Sequence, residues 1–399
     1  MKLQKKNNNI KTFYAALYTA LFFCLISAFS LIQKSDASLG VFYSHYIGDF
    51  SIGVCSRMML GQILSLFKDS FTQEWITSFV EISVFVMFFF AAAFIGSVFA
   101  DADKKTAKAL FIFGFMLCIY PVSFNSFLNI NFGFLEIFMI MLFIITAFAG
   151  ESRIFGYLTP FVIFTGIMIH ESFMFSFMCP ILAIVAYYAT AKHNKSVFTS
   201  PAFITSAVSA VGTAAYSVFF SRMTLKMSEQ QMLSYLAEKG NCDISDVSGY
   251  LEAFLFYTDV NGELGTSHAN NIFEIFVHLI EITKGETNGI QITQTLAAVP
   301  FIIMIFVLWG ICIKKTKGFA KKIPYILFML TPIPQMVAAT LISMDYARFF
   351  ASLIISQAFY IFVCAKQKDP VVTQFLEKAG ERAELFILPL AIMFLSGIN

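Results

Sequence analysis

Charge is scarce in this chain. Asp, Glu, Lys and Arg make up only 13% of its 399 residues, and the net charge is +2. A balance so close to neutral says nothing about nucleic acid by itself, and no basic run stands outside the connecting segments, so no nucleic-acid partner is expected. The sequence has five His and two Trp. It contains no P-loop, no dinucleotide fingerprint, no CxxC and no HExxH, which leaves ATP-driven and familiar redox or zinc-protease chemistry unsupported. Of the seven Cys, Cys24, Cys118, Cys179, Cys312 and Cys364 lie in or at apolar runs and read as small packing groups. Cys55 and Cys242 fall in polar connections where a disulfide is chemically allowed, but nothing in the sequence brings them together. Internal repeats and low-complexity segments are missing too.

What the chain does have is apolar surface. It is 58% hydrophobic with 50 Phe, and its mean hydropathy is +0.75. Runs of roughly twenty apolar residues recur along it, as in a polytopic helical membrane protein. They are too long and too little alternating for barrel strands of about ten residues. The expected fold is therefore an all-α integral membrane bundle, a single transmembrane domain over 1–399. Its spans read as 12–33, 76–99, 108–124, 132–149, 155–169, 172–190, 200–221, 296–313, 324–343, 346–364 and 384–398, about eleven transmembrane helices. The first run follows Lys2, Lys5, Lys6 and Lys11, so a signal peptide has to be weighed. The run's length, without a small-residue cleavage site, favours a retained helix.

Lys and Arg set the orientation. With the N-terminus in the cytoplasm, most of the 27 Lys and Arg fall in inward segments, including the Lys-rich 101–108 and 314–322. Two long segments then face outward: a first extracytoplasmic loop at 34–75 and a second at 222–295. Short outward turns lie near 125–131, at His170-Glu171 and near 344–348. The membrane expected is the bacterial cytoplasmic membrane.

Three polar clusters share that outward side: Asp49 with Arg57, His170 with Glu171, and Asp345 with Arg348. Ionisable groups at membrane level are costly unless they meet water, each other or a ligand. In 53–67, Leu60, Ile63, Leu64 and Phe67 recur at helical spacing, with Arg57, Gly61 and Ser65 opposite. Fifteen helical residues reach only about 22 Å, too short to span, so a helix in the interface plane is expected, with Arg57 facing water. The alternative is a packed loop helix whose Arg snorkels.

His170-Glu171 occupies a hinge between two apolar runs. Turns favour Gly, Asn, Asp, Pro and Ser for conformational reasons that His-Glu does not share. The pair can serve as a general base, a sugar-binding group or a metal ligand, or simply as a polar hinge. Asp345 and Arg348 lie three apart at a span start and can pair on one helix face. In a functional reading, Arg348 offers its planar fork to a phosphate, held by Asp345 and Tyr346. Glu81 and Glu136 fall about 6–8 Å inside the outer ends of their spans and could line the lower wall of the same site. In the long loop, Glu274, His278 and Glu281 have a spacing open to a divalent metal, although a solvated face explains it as well. A divalent metal is thus conceivable but not indicated, and the cofactor is unknown. That loop is locally acidic, and Tyr250, Phe254, Phe256 and Tyr257 in it offer stacking surfaces for sugar rings.

An outward carboxylate, two Arg and a His-Glu pair suit one chemistry in particular. A lipid-phosphate donor would place its chain between helices and its head group at this level. Arg57 and Arg348 would bind the phosphate, and Asp49, or else His170, would take the proton of an acceptor hydroxyl attacking the anomeric carbon. DFSIGVCSRMMLG (49–61), HESFMFSFMCP (170–180) and MDYARFF (344–350) resemble segments of bacterial multi-span glycosyltransferases of the GT-C type. They are also similar to the polymerases of O-antigen and capsule assembly. The resemblance implies a GT-C-like fold, a polyprenyl-linked sugar donor, a glycan acceptor, a bilayer setting and Asp49 as the base. Many such proteins carry paired acids in the first loop, whereas Asp49 is followed here by Phe50. The rival expectations are a flippase or other transporter of lipid-linked sugars, and a non-catalytic assembly partner in the membrane. Transporters usually bind near the midplane on broken helices.

Overall fold

The computed structural model describes residues 2–32, 43–119, 123–124, 127, 132–247, 289–338, 346–388 and 390–391. Among these residues the fold is all-helical, with no strands. Five helices are long and apolar enough to cross a membrane, with qualifying segments Asn9–Phe29, Gln73–Phe99, Met174–Lys192, Pro201–Phe220 and Arg348–Lys366. Shorter apolar helices occupy Glu136–Ala149 and Arg153–Ile169.

In chain order the helices are α1 (Lys2–Ile32), α2 (Ser44–Ile47), α3 (Met59–Ser65), α4 (Gln73–Phe99), α5 (Lys104–Ile119), α6 (Glu136–Ala149) and α7 (Arg153–Ile169). They continue with α8 (Met174–Lys192) and α9 (Pro201–Phe220). After these come α10 (Glu229–Gly240), α11 (Gly289–Lys315), α12 (Phe319–Leu330), α13 (Pro332–Val337), α14 (Tyr346–Lys366) and α15 (Pro370–Glu381). The helix starts are written in the sequence. Thr72 accepts from Trp75 N, while Ser200 and Asp369 cap helices whose first residue is proline, which has no N–H to satisfy. The span expected at 324–343 is divided at Thr331-Pro332, since proline cannot bond back into the preceding turn. The last expected span, 384–398, is described only to residue 391.

The central helix is α14, with 89% of its apolar segment buried, against 11% for α1 at the periphery. Phenylalanine fills the spaces between helices. Phe359 lies 5.3 Å from Phe94 and 5.7 Å from Phe143, and Phe328 stacks on Tyr360 at 4.0 Å. Each such ring contributes large apolar area together with a geometric preference.

The two ends of the bundle differ in charge. At one end Lys11 pairs with Asp101, Lys105 with Glu381 and Lys192 with Glu151, while Lys315 donates to Gln374. The other end gathers the first loop, the start of α6, the α7–α8 turn, α10 and the start of α14, and it holds the candidate site.

The first loop departs from its expectation. The interfacial helix predicted over 53–67 is reduced to the seven residues of α3. Leu60, Gly61 and Leu64 turn inward, while Leu66 and Phe67 are exposed. Gly61 is what fixes this. A Cβ there would collide with the Gly48 carbonyl, so the bare glycine face packs against the loop's own backbone. Arg57 lies before α3 with φ +72°, a left-handed conformation uncommon for a side chain with a Cβ. Its N–H donates to Met168 O at 2.9 Å. Arg57 is therefore buried under the end of α7 rather than carried on a helix face toward water.

Candidate functional site

Asp49 follows α2, and its partners come from outside its own segment. Lys239 on α10 forms an ion pair with Oδ2, and Tyr235, one turn earlier, donates to both carboxylate oxygens at 2.9–3.0 Å. Ser65 Oγ and Ser51 N add bonds of 3.2 and 2.8 Å. Both charges are buried, with Asp49 5% and Lys239 7% exposed. Burial would raise the Asp49 carboxyl, but the Lys239 ammonium, the Ser51 N–H and the Tyr235 hydroxyl hold it below its ordinary value. The expected grouping of Asp49 with Arg57 gives way to a clasp between the first loop and α10. Lys239 and Tyr235 were missed by the sequence reading. The one available signal was helix α10 itself, with its Ser228/Gln231 capping box and left-handed Asn241 at the C-terminal end.

Arg57 instead grips Glu171. Its Nε lies 2.9 and 3.1 Å from the two carboxylate oxygens, and Nη2 closes the fork. Burial opposes ionisation of Glu171, yet the adjacent guanidinium keeps its carboxyl well below the usual carboxylate range. His170 caps the end of α7 in an extended conformation, and its Nδ1 accepts the Ser172 N–H at 3.0 Å. A nitrogen that accepts there cannot also donate to Glu171 Oε2, 3.6 Å away, so this close approach is not an ion pair. The ring is neutral, with its proton on Nε2. Burial lowers its pKa to about 4, with Glu171 opposing the shift and Arg57 reinforcing it.

Glu136, the first residue of α6, is 2% exposed. Its Oε1 accepts Ser172 Oγ at 3.2 Å and Arg348 Nη1 at 2.9 Å, while Oε2 receives no hydrogen bond among the described residues. The Arg348 guanidinium lies 4.5 Å from the centre of the Phe134 ring. Arg348 therefore pairs across the bundle with Glu136. Asp345, its expected neighbour, lies outside the described residues, and Tyr346 is described only as the first residue of α14.

His45 on α2 joins the same cluster, although the sequence reading passed over it. Its ring is buried, and its pKa is lowered first by burial and then by Arg57 and His170, with Glu171 opposing and Arg348 reinforcing. The structure thus brings together Arg57, Glu136, His170, Glu171 and Arg348, with Ser172 and His45 between them. It sets Asp49 apart in its clasp and leaves Glu81 half-buried on α4, with no ion pair among the described residues. Directly after the His-Glu turn, Met174–Met178 forms a widened π-type turn, and its Ser176 carbonyl accepts Gln335 Nε2 at 2.8 Å. Such turns recur near functional sites.

A buried and a half-buried acid, two guanidiniums, a serine and two neutral histidines can bind an anionic group, move a proton and hydrogen-bond a polyol. Among the described residues no three His, Cys, Asp or Glu side chains group as a metal site. The candidate triad Glu274, His278 and Glu281 and the rings Tyr250, Phe254, Phe256 and Tyr257 lie outside them. Cys55 and Cys242 are not joined in a disulfide, and Cys55 Sγ donates to Ser221 O at 3.0 Å. No family model, curated protein or solved structure matches this chain.

Proposed function

We propose that this protein is a membrane glycosyltransferase of cell-surface polysaccharide assembly, transferring a single sugar or polymerising repeat units. Its donor is a sugar on a polyprenyl phosphate or diphosphate and its acceptor a glycan hydroxyl. The proposal includes a bundle of about eleven spans in the GT-C manner. The N-terminus is cytoplasmic and the site faces outward, since the opposite end carries the lysines that normally remain inside. One observation carries the reading. Two guanidiniums from distant segments, Arg57 and Arg348, converge on one buried polar cluster with a glutamate held against each.

The chemistry follows from the cluster. Planar guanidinium forks suit phosphate oxygens and stabilise charge growing on a leaving phosphate. The acceptor oxygen bonds to the anomeric carbon while the bond from that carbon to the phosphate oxygen breaks, its electron pair leaving with the phosphate. The acceptor's proton passes to Glu136 Oε2, the carboxylate oxygen without a hydrogen bond among the described residues. This assignment displaces Asp49, whose two oxygens are engaged in the clasp. It also recasts His170, whose Nδ1 is occupied and whose Nε2–H can donate to a sugar hydroxyl.

The test is sugar transfer by protein reconstituted in lipid, offered polyprenyl-phosphate and polyprenyl-diphosphate sugars, with Glu136→Gln and Arg57→Lys beside the wild type. Removing the general base should lower turnover by about 10²–10⁴-fold, with donor binding retained. Losing the bidentate fork should weaken donor binding. Failure of every donor to react, together with movement of intact lipid-linked sugar across the bilayer, would overturn the enzyme in favour of a flippase.

A further inference from the structure

A second concentration of positive charge lies at the lysine-rich end, far along the bundle from the site above. There Arg153, Tyr157, Tyr188, His193, Lys195 and Ser200 line a cleft between the start of α7, the end of α8 and the start of α9. No acidic side chain lines it. The nearby carboxylate, Glu151, is taken by Lys192. Neither Arg153 nor Lys195 forms an ion pair among the described residues. Burial, then Arg153, Lys192 and Lys195 in that order, push the His193 pKa down, with only Glu151 opposing.

Backbone adds to the same sign. Gly156 on α7 faces Ala202 on α9, where an added Cβ would come within 3.3 Å of the Ala202 Cβ, so the two helices begin side by side. Their N-terminal dipoles are both positive at the cleft. A cation in the first turn, as Arg153 is, works against its own helix dipole, a modest penalty that a bound anion would relieve. Beyond the cleft, Tyr157, next to Gly156, and Phe161, next to Pro160 whose carbonyl accepts Ser209 Oγ of α9, are 54% and 68% exposed, an apolar seam beside α9 that no other part of the chain covers among the described residues.

From this arrangement we infer that the cleft binds the phosphate head group of an anionic phospholipid, with its acyl chains lying along the α7–α9 seam. Arg153 and Lys195 contact the phosphate oxygens, and the apolar seam provides the chain contacts that a free phosphate would lack. Basic pockets between membrane helices are a recurrent site for such lipids. The site is separate from the proposed transfer site, so it stands or falls independently of that reading.

The experiment compares wild type with an Arg153→Gln, Lys195→Gln variant in nanodiscs of phosphatidylcholine carrying increasing phosphatidylglycerol. Thermal stability and lipids retained in native mass spectrometry are read together. Equal melting in pure phosphatidylcholine checks that the variant folds. Stabilisation should saturate with phosphatidylglycerol, since a ligand of the folded state raises stability with occupancy. Half-saturation should move up by roughly thirtyfold in the variant, about fivefold for each cation lost. A Lys321→Gln, Lys322→Gln control, charged residues at the start of α12, should behave as wild type. An identical phosphatidylglycerol response in variant and wild type would overturn the site. Inorganic phosphate reproducing the full shift in phosphatidylcholine would overturn the lipid.

Discussion

The pairing of Asp49 with Lys239 can be tested by a substitution that undoes another. Both charges are almost wholly buried, and Asp49 is bonded to Ser51, Ser65 and Tyr235 as well. Asp49→Asn leaves the Lys239 ammonium without a counter-charge, and breaking a buried pair in this way costs about 3–5 kcal/mol. Lys239→Met should cost a similar amount, because the carboxylate is then the buried charge left alone. The double variant removes both charges and should recover most of the loss, giving a coupling of at least about 2 kcal/mol. Unfolding in mixed micelles followed by tryptophan emission is well placed to measure it. Trp75 lies 5.1 Å from Phe71, whose N–H donates to the Lys239 carbonyl. The linkage has a definite sign. A carboxyl held below its ordinary value contributes stability that is present above about pH 4 and disappears as acid titrates through the folded value. Singles that each cost less than about 1 kcal/mol would place the pair in water and refute the clasp. Transfer activity adds a second criterion. Activity returning with the double variant marks Asp49 as structural, whereas a catalytic base could not be restored by changing Lys239.

Two further outcomes rest on single residues. His170, with a pKa lowered to about 4, must take up a proton when the chain unfolds in acid, so its contribution is full above about pH 6.5 and is lost as pH falls toward 4. Replacing it with Gln should remove roughly 3 kcal/mol of acid sensitivity in that window, and an unchanged pH–stability curve would contradict the buried neutral ring. Gly61→Ala should destabilise by about 1–3 kcal/mol, because its Cβ meets the Gly48 carbonyl and not a yielding side chain. A neutral result in the same unfolding assay would mean that α3 does not pack on the 46–48 backbone.

The long helices were legible because a run of about twenty apolar residues carries its own signal. Predicted spans such as 76–99, 155–169 and 200–221 correspond to α4, α7 and α9 within a few residues. The first loop was not legible in the same way. Helical spacing around Leu60 and Leu64 says nothing of a left-handed Arg57, nor of a glycine face closing on Gly48. Partner choice was hidden for a related reason. Nearness in sequence grouped Arg57 with Asp49, eight residues away, and Arg348 with Asp345, which lies outside the described residues. In the fold Arg57 meets Glu171 and Asp49 meets Lys239 in the other long loop, while Arg348 reaches Glu136 from a distant helix.

That exchange of partners follows from the composition. In a chain with so few charges, each buried one must be neutralised by whatever opposite charge the packing of helix ends supplies. Asp49 and Lys239 neutralise each other between two loops, and among the described residues the other cluster pairs Arg57 with Glu171 and Arg348 with Glu136 around neutral histidines. The sequence marked most of the ionisable residues at this end because they interrupt apolar runs. It could not mark which of them form a unit, because that depends on α6, the α7–α8 turn and α14 ending at one level. The difference matters chemically. A carboxylate already engaged by an ammonium, a tyrosine and a serine is a poor proton acceptor, whereas one engaged among the described residues through a single oxygen retains the other to accept a proton.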